Sequence, residues 1–344
     1  PTLGGYISDN YSWPLIFFIN IPIGIVAFLM TIAFIPNPSF LEKPKGAIDW
    51  LGLGLLSAGL ASLQYVLERG QHDDWYSSDT IWVLTIVAAA ALIWFIWKTI
   101  KDRYPLVDLN VFRYRTFTIG NIIGIITGFG LFGTSLILPL YFQTVLGFTA
   151  FDTGMALLPG ALATAVSMLV VGRLINRIDS RLLVAFGMLV FGGATWWMGD
   201  LNQYAGYWDV FYPRLVQGFG LGFLFVPLST VMLGAVPREE LAGATGVSTL
   251  LRQLGGSLGI AVLTTLLTRE GAIAWSALAS GVTQTHGYSI GQLTQIVATG
   301  SQVIAYDYLF RLSGLIFFIC TPLVIFMRPS RRSAGAPSPA MAAD

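Results

Sequence analysis

The 344-residue chain is short of charge, histidine and cysteine. Only 11% of its residues are charged, against about 25% in an ordinary soluble domain, so it cannot clothe itself in a polar surface. Its single cysteine, Cys320, excludes an intrachain disulfide and a cysteine metal cluster. The two histidines, His72 and His286, fall in connections between apolar runs. P-loop, HExxH and GxSxG signatures are missing, so ATP is not expected to power the chain directly, and neither an enzyme activity nor a metal or cofactor is expected. The net charge of +1 is uninformative, because in a membrane protein the distribution of charge matters more than its sum; no nucleic-acid partner is expected. The strict alternation of β-barrel strands is missing as well.

What is present is apolar length. Hydrophobic residues make up 55% of the chain and come in runs of about 20, enough for an α-helix to cross about 30 Å of hydrocarbon. The expected fold is an all-α polytopic membrane protein. Nine complete spans are read at 14–36, 50–68, 80–98, 117–142, 153–172, 183–199, 208–234, 243–268 and 306–327, with residues 1–7 as the end of a tenth. The opening PTLGGYISDN has neither an initiator methionine nor a signal pattern; the expectation is an N-terminally truncated fragment of a longer protein.

Lysine and arginine mark the cytoplasmic side. Fourteen lie in the alternate connections 37–49, 98–116, 173–182 and 235–242 and in the tail 328–344, against only Arg69 and Arg269 on the opposite side. This puts the C-terminus in the cytoplasm and makes GRLINRIDSR, residues 172–181, a tight cytoplasmic turn. Most connections are short, so consecutive helices are expected to be antiparallel neighbours. Residues 269–305 are rich in Ser, Thr, Gln and Gly, too polar to span and too long for a turn; a partly ordered outer segment with short helices is expected there. Residues 329–344 have the composition of a disordered cytoplasmic tail.

Small residues let helices approach in lipid. Gly120, Gly124 and Gly128 recur every four residues, and the pairs Gly218 and Gly222 and Gly255 and Gly259 repeat the spacing; they are read as packing faces or as surfaces that slide in a moving transporter. Charge inside a span is costly and marks a functional hypothesis. Arg252, beside Gln253, falls near mid-span, either as a functional group or as an anchor to neighbouring carbonyls. Arg214 lies in the outer third of its span, near Gln217, within reach of the outer surface. Arg311 follows Asp307 by one helical turn, the favourable order for a local ion pair. Tyr141 and Gln143, at the outer end of a helix, line an entrance or belong to the interfacial aromatic belt; Asn121 lies near the inner end of the same helix. Asn121, Tyr141, Gln143, Arg214, Gln217, Arg252 and Gln253 are the cavity candidates.

Several stretches resemble the major facilitator superfamily, and within it the fourteen-span EmrB/QacA-type drug:proton antiporters. GRLINRIDSRLLV is similar to the second-half copy of the superfamily loop signature: Gly172, Arg177 and Arg181 match, Arg173 and Asp179 accompany them, and Asn176 stands where an acid is usual. PTLGGYISDN resembles the end of the antiporter motif, at Pro1, Gly4 and Gly5, and runs into a Trp-x-x-x-Phe-x-x-Asn-x-Pro-x-Gly pattern at Trp13, Phe17 or Phe18, Asn20, Pro22 and Gly24. LPLYFQTVLGFTAFDTGMALLPG and RQLGGSLG are also typical of the subfamily.

The resemblance implies that residues 1–36 end an N-terminal six-helix half, 37–116 hold two inserted helices and a cytoplasmic linker, and 117–328 form the C-terminal half. It implies a bacterial inner-membrane pump in which two halves rock about a central cavity, exchanging protons for hydrophobic or amphipathic drugs, with a periplasmic adaptor and an outer-membrane channel as further partners. The segment 269–305 is either an adaptor contact or a plain loop. No carboxylate lies mid-span, so the proton carrier is expected in the N-terminal half. An exporter of one dedicated metabolite, or a non-transporting scaffold, remains the alternative reading.

Overall fold

The computed structural model describes residues 2–34, 49–102, 109–237, 240–281 and 289–327; Pro1, Lys43, Lys45, Arg103, Arg238 and the tail 329–344 lie outside them. Among the described residues the regular structure is helical. α1 spans Thr2–Asn10, α2 Leu15–Phe18, α3 Asn20–Phe34, α4 Trp50–Arg69 and α5 Asp79–Lys101. They are followed by α6 Arg115–Thr144, α7 Ala150–Leu174, α8 Ser180–Trp197, α9 Tyr207–Leu233, α10 Leu241–Gly281 and α11 Ile290–Cys320. Nine stretches among the described residues are long and apolar enough to cross a membrane, the first of them built from α2 and α3 together. The protein is multi-pass.

Helix starts follow local chemistry. Thr149 and Asp152 form a reciprocal capping box at α7, and Ser289 and Gln292 form another at α11; each cap contributes about 1 kcal/mol. Asp179 accepts from Arg181 N–H and starts α8, while Asp49 accepts from Gly52 N–H and starts α4.

α6 to α11 share the buried core. At one end Tyr141, Phe142, Met198, Leu201, Tyr306 and Phe310 cluster; Phe191, Leu224, Leu228 and Phe317 belong to a second cluster; at the other end Val111, Phe117, Met232, Val236 and Ala244 close the body. The last group lies where the basic connections meet: Arg113 Nη2 donates to Glu240 Oε1 at 2.8 Å, joining the residues just before α6 to those just before α10. In lipid there is no hydrophobic drive between helices, so these contacts rest on close packing. α6 meets α10 through Gly128, which faces the Arg252 carbonyl, and through Gly255 and Gly259, which face the Ile125 and Phe129 carbonyls. α7 meets α9 where Gly218 faces the Gly160 carbonyl and Gly222 faces the Ser167 side chain. Thr164 Oγ1 donates to Gly218 O across that seam at 2.9 Å. Gly120 takes the Met232 side chain, whereas Gly124 has nothing within 4 Å of its missing Cβ.

α4 and α5 form their own hairpin. Gly59 admits Leu92, and Lys98 Nζ bridges Asp49 at 2.6 Å and Asp102 at 2.8 Å. α4 also touches α10. α1 docks on the first turn of α7: Thr2 Oγ1 donates to Gly154 O at 3.0 Å, Phe151 N–H to Asp9 Oδ2 at 2.7 Å, and Gly5 is buried against Ala150 and Phe151. Gly4 meets nothing within 4 Å.

The segment 269–305 differs from expectation. In place of separate short helices, residues 269–281 continue α10 and 290–305 begin α11, and the two helices pack side by side. α10 has 41 residues, about 60 Å at 1.5 Å each, roughly twice the hydrocarbon thickness. Leu263, Leu266 and Leu267 pack at the level of Leu201 and Tyr306, so the C-terminal part of α10 projects beyond the body by about 20 Å. Polar composition does not stop a helix, which needs no apolar run to continue.

Candidate functional site

The structure sorts the seven cavity candidates into separate places. Asn121 and Arg252 come together, with Gly124, Thr127, Phe225, Ser229 and Ser248, around a cavity of about 20 Å³ between α6, α9 and α10, room for about one water. The hydroxyls there point back into their own helices: Thr127 Oγ1 donates to Ile123 O at 2.8 Å and Ser248 Oγ to Ala244 O at 2.8 Å. Asn121 Nδ2 likewise donates to Phe117 O at 2.9 Å. Such bonding uses the Thr127 and Ser248 hydroxyl donors and one Asn121 N–H, and leaves their oxygens free to accept. The Arg252 guanidinium lies over the Phe225 ring, 4.7 Å from its centroid, and forms no ion pair among the described residues. The patch therefore offers a guanidinium, a ring and a few acceptors, with little fixed directional demand.

Arg214 and Gln217 make a second polar group, on the α7–α8–α9 side. Arg214 Nη1 donates to Gln217 Oε1, and Gln217 Nε2 donates to Thr195 Oγ1 at 2.9 Å. Gly160 supplies the space: a Cβ there would lie 2.7 Å from Arg214 Nε. Gln217 is fully buried, and Arg214 Nε is buried without a partner among the described residues. Arg214 is therefore held inward, where the sequence allowed it to reach outward.

Tyr141 belongs to the core. It is 1% exposed, donates to Asn202 O at 3.0 Å, and packs edge-on against Tyr306 and Phe310. Gln143 and Gln253 are exposed. Arg311 pairs with Asp307 at 2.6 Å and, additionally, with Asp200 at 3.1 Å; Asp200 escapes a local reading because it lies 111 residues away in the chain. Asp307 is mid-helix in α11, but its contact with Gly199, in the turn that ends α8, sets it at the end of the body. In the 172–181 turn Gly172, Arg173, Arg177 and Asp179 are exposed. Arg173 and Arg177 form no ion pair among the described residues, and Asp179 is used in capping α8. Thr195, Phe225 and Gly160 have no sequence signal: each matters only through a neighbour on another helix.

A bundle of membrane-length helices crossed by glycine seams, with a polar patch inside, defines a polytopic helical membrane protein. A sequence model of the Major Facilitator Superfamily matches residues 1–260, and the chain belongs to that family. It is 33% identical to the multidrug export protein EmrB of Escherichia coli K12 over 97% of this chain and 69% of that protein. It is 32% identical to the fatty acid resistance protein FarB of Neisseria gonorrhoeae over the same shares, and 31% identical to the lincomycin resistance protein LmrB of Listeria monocytogenes over 82% of this chain and 59% of that protein.

Proposed function

We propose that the chain is part of an exporter of hydrophobic or amphipathic compounds in the bacterial inner membrane, working by proton antiport and alternating access with its C-terminus in the cytoplasm. The carrying observation is its likeness, at 31–33% identity, to exporters named for chemically unlike cargo: many drugs, fatty acids and lincomycin. The Arg252 patch suits such cargo, because a ring face and a guanidinium recognise shape and charge without a fixed pattern of donors. In this reading residues 117–328 are one six-helix half, α4 and α5 the inserted pair, and α1 to α3 the end of the other half.

The test is accumulation of several unrelated hydrophobic drugs by proteoliposomes of the full-length exporter that contains this chain, under an imposed pH gradient, with an ionophore control. Gradient-dependent uptake of several supports the reading, and Arg252→Ala is expected to lower it about tenfold or more while leaving the fold intact. Uptake of one compound class alone favours the dedicated exporter, a reading to which the fatty-acid relative lends support. No gradient-dependent uptake of any compound rejects both.

The projecting α10–α11 pair, with Ile273, Trp275, Ile290 and Ile296 exposed, is the proposed contact for a periplasmic adaptor that leads to an outer-membrane channel. A photo-crosslinker at Gln292 is expected to capture a co-expressed adaptor; crosslinks from other surfaces but not from this pair would reject the contact.

A further inference from the structure

A cleft of about 400 Å³ opens at the Lys/Arg-poor end of the body, between the α8–α9 connection and the first turns of α9. Trp197, Asp200, Tyr204, Trp208, Asp209 and Tyr212 line it, and no lysine, arginine or histidine does. It shares no residue with the Arg252 cavity. We propose that this cleft binds an alkylammonium group, carried either on a phospholipid headgroup or on a free organic cation.

Charge comes first. Asp200 and Asp307 share the single Arg311 guanidinium, and Asp209 has no basic partner among the described residues. Asp200 and Asp209 both line the cleft and no basic side chain does, so its wall carries negative charge. Asp200 gives Oδ1 to Arg311 and Asp209 gives Oδ2 to the Gly206 N–H at 2.8 Å; the second oxygen of each remains for a ligand.

Shape and softness come next. Trp208 and Tyr212 are one turn apart on α9, with ring centroids 6.1 Å apart and planes tilted by 32°, so they form a continuous aromatic wall. They are 61% and 53% exposed. The face of an aromatic ring is electron-rich and attracts a cation within about 6 Å. Calcium and magnesium take about six or more oxygen ligands, and no group of three His, Cys, Asp or Glu placed to hold a metal ion occurs among the described residues. An anion is repelled. An alkylammonium matches both features, with its charge toward the carboxylates and its carbon atoms over the rings.

The experiment uses the whole protein in nanodiscs of phosphatidylglycerol, which carries no ammonium, and follows tetramethylammonium by saturation-transfer NMR. Saturable binding is expected, weakened about fivefold to tenfold by Trp208→Ala and by Tyr212→Leu, and retained within about threefold by Trp208→Phe. Asp200→Asn weakens it as well; if that variant fails to fold because Arg311 loses a partner, Tyr212→Leu carries the test through an exposed ring. Replacing the lipid by phosphatidylethanolamine lowers apparent affinity if the headgroup occupies the cleft and leaves it unchanged if free cations do; both results support an ammonium site and differ only in its source. Absence of saturable binding, or equal binding by wild type and Trp208→Ala with unchanged helical circular dichroism, would overturn the proposal.

Discussion

The most apolar span is not among the best-packed ones. Leu15–Phe34, which on the proposed reading ends a half whose earlier helices are not in this chain, has a mean hydropathy of 2.5 and is unburied among the described residues, whereas Ser180–Asp200, inside the α6–α11 body, has 1.6 and buries 56%. In water the order would be reversed. In a bilayer hydrophobicity is satisfied by lipid, and helix contact depends on glycine, serine and threonine that let backbones meet. Gly187 and Gly192 of α8 illustrate this: a Cβ at Gly187 would lie 2.6 Å from Leu224 N, and one at Gly192 would lie 3.1 Å from Gly314 O.

The hardest test of this contrast sets one substitution in each region. Gly218→Leu drives a side chain into the Gly160 backbone, which cannot yield as a side chain would. A loss of about 3 kcal/mol or more is expected, at the upper end of overpacking, and should appear as loss of the monodisperse peak in heated detergent extracts. Gly24→Leu, with nothing within 4 Å, is expected to stay within about 0.5 kcal/mol. Equal damage at both sites would mean that α3 is packed after all.

The next effect lies in the polar group of the packed body. Gln217→Leu removes the acceptor of a guanidinium whose Nε already lacks a partner among the described residues, and about 3 kcal/mol should be lost, as when a buried charge is left alone. Combining it with Arg214→Met should restore most of that loss. The cycle of single and double variants, read by thermal stability, isolates the coupling; strict additivity would show that Arg214 and Gln217 are independent.

These two tests also mark the limit of what the sequence told. Run length, together with the alternation of basic connections, was sufficient for the helix count, since both are properties of one segment at a time. The residues around each candidate were not legible in that way. Thr195 and Phe225 gain meaning from Gln217 and Arg252 on other helices, and Gly160 from Arg214. The terminal position of Tyr141 left it open between an entrance and the interfacial belt, and only the fold shows that the Asn202 carbonyl, in the 198–206 connection, takes its hydroxyl. The α10 extension was missed because apolar run length reports the membrane, and a helix may outlast it.

The hairpin of α4 and α5 stands between the two extremes and gives a smaller, pH-dependent effect. The hydrogen bond from Lys98, with help from Gly52 N–H, holds the Asp49 carboxyl below its ordinary value of 3.8. A carboxyl depressed in the folded state stabilises it above the unfolded value, and that contribution is lost as pH falls through the folded one. Hydrogen exchange in residues 49–102 should therefore quicken below about pH 4 while α8 and α9 stay protected. Asp49→Asn should abolish the acid-dependent part, and an unchanged pH profile in that variant would assign the effect to other carboxyls.

The smallest expected change asks the most of the glycine seams. Gly124 and Gly128 lie one turn apart on α6, but Gly128 is pressed against the Arg252 carbonyl and Gly124 borders open space beside the Arg252 cavity. Gly128→Ala should destabilise. Gly124→Ala should be neutral or stabilising by up to about 1 kcal/mol, the helix-propensity difference. A glycine that packs nothing in this arrangement is needed only if another arrangement presses something against it. If Gly124→Ala keeps or raises thermal stability but slows drug uptake in proteoliposomes, the face is a sliding surface that closes during transport. If uptake is unchanged as well, the regular glycine spacing on α6 serves packing at Gly120 and Gly128 alone.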